Sequence, residues 1–530
     1  MDTKYIIALE IGTSAVKAGV AIPDSDTGTI TLVAAEEEPL NNSVRYGRIQ
    51  NVEEVTRHTL LALDRLASLP EFAGSKITGV YTAVGGRSLC SVRTSARLVF
   101  PEESEITNDT IERLQEEAMA QVSDKQEVLD IIPLRFTVDD IATQRPVGAF
   151  GTRVTAEFTI VVCNPVNTRN ITRVVADRLN LDICGFVVRP LALADLCLGI
   201  EDTKPGCMLV DVGAETTTVA IFKGGALHYL ATIPVGSQHI TRDLAFGLGV
   251  IDEQAESIKV RLGNAMGDPA ATLSAEQRQI DNYVQARSNE IIANIVAQAE
   301  FAGFQSGELR AGIIVTGRGA KLKNFCKQLE VQSHMTVRAA TVPPSVRVSN
   351  PALSGADLLP LMAVAAEGAR MAVRSETPDC VEPVAQPVVE AAPEVDDTPK
   401  ETVAAIEIDA ADKVDAPVVW AGQPAFNSYD TDPAAENARV EVKPYDEEEE
   451  ELLLDDDEAE RRRNERAEKA RAKAEKEQRR REREAQKQAG KEQQQKRMRV
   501  GVFDRLKDRI NRMVTSVDDA EGVDLADDDD

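Results

Sequence analysis

Gly12, Thr13 and Ser14 sit between two apolar segments, residues 5–10 and 15–22, and Lys17 follows within reach. That spacing predicts a strand, a tight turn and a second strand. Glycine lets a backbone approach phosphate, the hydroxyls and turn amides donate hydrogen bonds, and Lys17 supplies positive charge. An ordinary β-hairpin has the same outline. Residues 206–222 repeat the pattern, with Gly213, Thr216 and Thr217 around the turn and Asp211 ending the incoming strand, where Glu10 ends the first. Two such hairpins facing each other would clamp a triphosphate, and Glu10 and Asp211 could hold the water shell of a magnesium ion between them.

A third element, residues 311–322, reads as a buried strand followed by a Gly turn and the start of a helix, which could face an adenosine. Between the second and third elements lies segment 253–263, in which Glu256 and Lys259 are three apart and share one helix face. Taken alone, that pair is equally the pattern of a solvated surface ion pair.

The elements that must position these residues lie within residues 1–374, where dense Val, Ile, Leu and Ala segments punctuated by Gly can build a packed core. Composition then changes sharply: residues 375–457 are rich in Pro, Ala, Glu and Asp, the pattern of a disordered acidic linker. A net charge of −28 disfavours nucleic acid as a partner. Seven cysteines without CxxC spacing read as buried free thiols of a reducing compartment. The N-terminus carries no signal-peptide pattern, and no run of eighteen apolar residues offers a membrane span.

In their order along the chain, these four elements resemble the actin, sugar kinase and Hsp70 ATPase superfamily. Within it the chain is most similar to the bacterial division actin family FtsA: segments 233–245, 255–263 and 132–139 resemble that family's IPxGxxxITxDIA, AExIKxxxG and IPxxYxVD. The resemblance covers residues 4–372. It implies an α/β, actin-like (ribonuclease H-like) two-lobed ATPase fold with an FtsA-type 1C subdomain, followed by a disordered or helical tail. Residues 1–83 would begin subdomain 1A, 84–163 form the SHS2-like 1C in place of the usual actin 1B, 164–240 begin 2A, 241–305 form 2B, and 306–374 complete 2A and return to 1A. Within 1C, strands are expected over residues 89–100 and near Phe136 and Phe158, with a helix over 107–121 capped by Asn108.

The same resemblance implies that Gly12, Thr13, Ser14 and Lys17 hold the phosphates of ATP, with Asp211, Gly213, Thr216 and Thr217 opposite. Glu256 and Lys259 would meet the ribose or base, and Gly317, Gly319 and Ala320 would close over the adenosine. Mg²⁺ would bind Glu10 and Asp211 through water. Three residues depart from the superfamily pattern. Glu10 replaces the usual Asp. Glu215 stands at a turn position commonly Gly, where it would repel a triphosphate unless a metal or an arginine intervenes. Arg318 replaces a frequent Gly and could stack on the adenine. The residue that orders the attacking water in actin corresponds to Arg189 or Pro190, neither of which activates a water, so hydrolysis is expected to be slow at most. The nucleotide then serves as a structural ligand and polymerisation switch.

Implied partners are the C-terminal peptide of the tubulin-like protein FtsZ on 2B, further copies of the chain, other division proteins and an anionic membrane surface. The implied location is the cytoplasmic face of the inner membrane, at the septum. Arg278 and Arg287 are candidate peptide contacts, or simply solvated arginines. In the tail, residues 458–499 read as a charged helix or spacer, and residues 500–517 place Phe503, Leu506, Ile510, Met513, Val514 and Val517 on one stripe beside Arg505, Lys507, Arg509 and Arg512. That is the pattern of a helix lying in a membrane interface. Burying Phe503, Leu506, Ile510 and Met513 would contribute roughly 6 to 12 kcal/mol gross. The acidic tail 518–530 opposes binding to anionic lipid, so attachment would rest on many helices presented together by a polymer. A helix docked on the protein's own surface, or a coiled coil, has the same stripe. A metabolite kinase would need a catalytic aspartate and a substrate domain in place of 1C, and a chaperone-like ATPase a peptide-binding β-domain after the core. The pilus actin relative PilM shares the fold, but the basic amphipathic end of the tail points away from it.

Overall fold

The computed structural model describes residues 4–24, 27–70, 75–267, 274–374 and 379–383, all within one compact unit. A first sheet runs, in spatial order, through Asp182–Val188, Gly79–Val84, Ile6–Ile11, Ala15–Pro23, Ile30–Pro39 and Val346–Val348. The chain's first strand is therefore internal: its hairpin partner lies antiparallel on one side, and Gly79–Val84 runs parallel on the other. Ile6, Ile7, Ala8 and Leu9 are all buried, as residues on both faces of a covered strand must be. Helix Leu359–Arg374 packs across this strand at close range. A side chain at Gly368 would come within 2.8 Å of the Tyr81 ring and 3.1 Å of Ile6, so only glycine allows the approach.

A second sheet repeats the plan. Ala226–Ile233, Thr217–Lys223 and Cys207–Val212 are successive antiparallel neighbours, and Ile313–Thr316 and Val337–Ala339 continue in parallel on the far side. Two lobes with the same strand order make this the two-lobed actin-like α/β fold. Helices Ser237–Leu248, Asp252–Leu262 and Ala275–Phe301 form a helical extension of the second lobe around Ile240, Leu244, Ile280, Val284 and Ile291.

The segment expected as 1C has its own core. Strands Cys90–Glu105, Glu127–Val138, Ile141–Thr143 and Phe150–Cys163 form an antiparallel layer beneath helix Asn108–Ala120, with Phe136 and Phe158 edge to face at 6.2 Å. This layer joins the edge of the second lobe's sheet where Ala231 pairs with Cys90. The helix cap differs from expectation. Thr107 stays extended and exchanges bonds with Thr110, accepting its N–H at 3.4 Å and donating its own at 3.3 Å, so Asn108 is already the first helical residue. The reciprocal pair satisfies two otherwise orphaned groups, which a cap at Asn108 would not.

The packed region also continues past the expected boundary at residue 374: Val381–Pro383 pairs with Ser75–Ile77, and Cys380 is buried with its sulfur 3.7 Å from that of Cys184. All seven cysteines are free thiols, and burial pushes those of Cys163 and Cys207 up to about 12. Among the described residues, no helix is long and apolar enough to cross a membrane. The rest of the expected linker, the charged segment 458–499, the amphipathic segment 500–517 and the acidic tail 518–530 lie outside the described residues.

Candidate functional site

The two hairpins meet at a cavity of about 540 Å³ between the lobes. Glu10, Gly12, Thr13, Ser14 and Lys17 line it from the first lobe, and Asp211, Gly213 and Thr216 from the second. The turns are built alike: the Gly12 N–H donates to the Ala15 carbonyl at 2.9 Å, and the Gly213 N–H to the Thr216 carbonyl at 2.8 Å. Glu256, Lys259 and Gly317 complete the expected set on the wall.

Three expected residues are not on it. Thr217 is fully buried and its hydroxyl donates to the Val235 carbonyl at 2.8 Å; strand alternation turns it away from the side that Thr216 faces. Gly319 backs onto Val212, and Ala320 packs against the core of the second lobe. The segment after Gly317 is a 3₁₀ turn, Arg318–Lys321, rather than the start of an α-helix. Gly317 has φ +89°, and a side chain there would lie 2.4 Å from the Val212 carbonyl oxygen and 2.6 Å from Asp211 Oδ1. The position requires glycine on both counts.

Charge in the cleft is arranged around arginines. Helix Arg189–Cys197 begins at the cavity, and the Arg189 guanidinium bridges the lobes, Nη1 lying 2.9 Å from Glu10 Oε1 and Nη2 2.9 Å from Asp211 Oδ2. Lys17, directly opposite Glu10 in the hairpin register, places Nζ 3.7 Å from its carboxylate. Burial alone would raise the Glu10 carboxyl, but Lys17 and Arg189 outweigh it and hold the group below the usual carboxylate range. Burial likewise works against the guanidinium, while Asp211 and Glu10 drive its pKa above the ordinary value. The magnesium site expected between Glu10 and Asp211 does not fit this arrangement, because both carboxylates already face a buried cation.

Glu215 is not aimed at phosphate. Its buried carboxylate accepts the Tyr46 N–H at 2.8 Å and pairs with Arg45 at 3.0 Å and with Arg242. Burial raises its pKa, and these three partners more than reverse the effect. Arg318 is likewise committed, forming a two-pronged pair with Glu37 of the other lobe at 2.7 and 2.5 Å that lifts its pKa further. Only the Glu256 half of the Glu256–Lys259 pair is solvated: the Lys259 ammonium is buried and donates to the exposed Glu256 carboxylate at 2.7 Å and to the Thr241 hydroxyl at 3.0 Å. Burial pulls its pKa below the ordinary value against the pull of Glu256.

Sequence reasoning missed other wall residues, including Gly47, Gly86, Asn167, Ser237 and Gln238. The available signal was Gly236 just ahead of a helix in segment 233–245. The Ser237 and Gln238 amides donate to the Gly213 and Ala214 carbonyls at 3.0 and 2.8 Å, so this helix N-terminus holds the second turn in place. On the helical extension, Arg278 is exposed, whereas Arg287 is gripped by Asp243 at 2.7 and 3.0 Å and by Glu290 at 2.5 Å.

The family model "Cell division protein FtsA" matches residues 208–389, and "SHS2 domain inserted in FTSA" matches residues 86–162, the layer that carries its own core. The chain is 28% identical over 339 residues to Cell division protein FtsA of Porphyromonas gingivalis, covering 61% of this chain and 70% of that protein. Over 361 residues it is 27% identical to Cell division protein FtsA of Escherichia coli strain K12, covering 64% and 84% respectively. Among solved structures, the PilM-PilN type IV pilus biogenesis complex is similar with a TM-score of 0.49 at 15% identity, covering 68% of this chain and 98% of that one. With both segments matched in chain order on a two-lobed actin-like fold, the chain belongs to the FtsA family of cell division proteins.

Proposed function

We propose that this chain binds ATP between its lobes, polymerises, and tethers FtsZ filaments to the cytoplasmic membrane at the septum through residues 500–517. The observation that carries the nucleotide part is the meeting of two topologically equivalent Gly-hydroxyl hairpins at one cavity, with Lys17 on one side and the buried Lys259 on another. Gly12, Thr13, Ser14 and Lys17 would hold the phosphates against Gly213 and Thr216, and Glu256, Lys259 and Gly317 would face the nucleoside. Hydrolysis is slow in this reading, because Arg189, which cannot act as a base, holds the position that orders the attacking water in actin and sets its charge against both Glu10 and Asp211. Bound nucleotide would favour the closed arrangement of the lobes and so the polymer.

The FtsZ C-terminal peptide would dock on the helical extension, with the exposed Arg278 a better contact than Arg287, which already has two acidic partners. Other division proteins would join the assembly at the septum. The test is sedimentation with anionic liposomes of the full chain and of a chain ending at residue 499, each with ATP and the FtsZ peptide. Pelleting that requires residues 500–530 and carries the peptide down supports the tether. A full-length chain that binds ATP yet stays in the supernatant overturns it.

A further inference from the structure

The head of the cleft holds four buried or nearly buried charged groups: Glu10, Asp211, Lys17 and Arg189. Two are acids and two are bases, so they sum to zero. A divalent cation is held at a triphosphate site by carboxylates that retain net negative charge and accept bonds from its waters. Here the Glu10 carboxylate accepts a hydrogen bond from one prong of a guanidinium, and the Asp211 carboxylate lies 2.9 Å from the other prong as an ion pair, one acid from each lobe. The Arg189 side chain is 16% exposed, against 7% for Glu10 and 6% for Asp211, so no water layer separates the three. A cation placed between the acids would sit against a fixed positive charge.

The local sequence fits this use. Strand Asp182–Val188 delivers Arg189 directly to the cavity as the first residue of the following helix, with Pro190 in its first turn. Glu10, one methylene longer than the aspartate usual in the superfamily, spans the distance to Nη1. Lys17, fixed across the hairpin from Glu10, keeps that acid ionised from its other side.

We propose that the Arg189 guanidinium replaces the divalent cation at this site, so that nucleoside triphosphate binds without requiring magnesium. The proposal rests on the nucleotide reading above. Arg189 then does two things that a metal does elsewhere: it neutralises the acids that would repel the phosphates, and it links the two lobes across the cleft.

Calorimetric titration of the full chain with ATP, once with magnesium and once with excess EDTA, tests it. Dissociation constants within about threefold of each other are expected. In Arg189→Gln, which leaves the acids facing a neutral amide, magnesium should tighten binding by at least about tenfold. Wild-type binding that strengthens about tenfold or more with magnesium overturns the proposal while leaving the nucleotide reading intact. So does a folded Arg189→Gln that gains nothing from the metal. Absence of heat and of competition in both buffers removes the proposal together with the nucleotide reading. Should Arg189→Gln fail to fold, the two wild-type titrations decide alone.

Discussion

The first and second hairpins have the same strand order and the same turn hydrogen bond, yet they manage charge in opposite ways. The first pairs its acid with its own base, Glu10 opposite Lys17. The second brings two acids, Asp211 and Glu215, to the cavity, while its one base, Lys223 at the far end of the outgoing strand, is spent on Glu308. Its neutralising groups are borrowed: Arg189, Arg45 and the Tyr46 amide from the first lobe, and Arg242 from the helix that follows. The self-contained hairpin could keep its charges balanced wherever its lobe moved, whereas the second depends on the lobes being together. Closing the cleft is thus partly an electrostatic requirement of one half of the molecule.

The sharpest way to break the comparison is to remove the borrowed cations around Glu215. Arg45→Ala with Arg242→Ala leaves a buried carboxylate without a counter-charge and should cost about 3–5 kcal/mol in urea unfolding. Adding Glu215→Gln to that pair should recover much of the loss, because the amide needs no cation. Next in size, Gly317→Ala should cost about 1–3 kcal/mol, since it forces a left-handed backbone on an L-residue and drives a methyl into Asp211 and Val212. The same denaturation curve measures it.

Acid titration sharpens the contrast further. Glu10 and Glu215 both ionise below their ordinary value of 4.5 in the folded chain. Their stabilisation is therefore fully present above pH 4.5 and is lost as pH falls through the lower folded values. Melting temperature should drop over that window, and Glu215→Gln should make the drop shallower; an unchanged slope would mean the buried carboxylate is not the ionised group described. The smallest effects separate the buried Thr217 of the second turn from the exposed Ser14 of the first. Thr217→Val should cost about 1 kcal/mol by leaving the Val235 carbonyl unpaired, with ATP affinity unchanged. Ser14→Ala, at an exposed position on the cavity, should leave stability unchanged and weaken ATP binding by about threefold.

Much of the fold was legible in the chain. Apolar runs broken at Gly12 and Gly213 announced both hairpins, and the three-residue spacing of Glu256 and Lys259 announced a shared helix face. Those signals are local: strand alternation, turn chemistry and helical periodicity act over a few residues and survive in any context. The cap at Thr107 was also local, but two hydroxyl residues three apart compete with Asn108 for the role, and only the extended backbone at Thr107 decides between them.

What the sequence could not state was partnership across distance. Glu10 and Arg189 are 179 positions apart, and Tyr46 and Glu215 are 169 apart. No periodicity connects them. Composition listed the charges and the hairpin pattern marked which would reach a cleft, but a charged side chain takes the nearest opposite charge that the packed lobes present. The sequence by itself determined two Gly-hydroxyl hairpins and, through the family resemblance, an inserted 1C segment. The tertiary structure alone decided that Glu215 is neutralised in part from the other lobe and that an arginine stands where a metal was expected, because those outcomes depend on how two separately folded sheets meet.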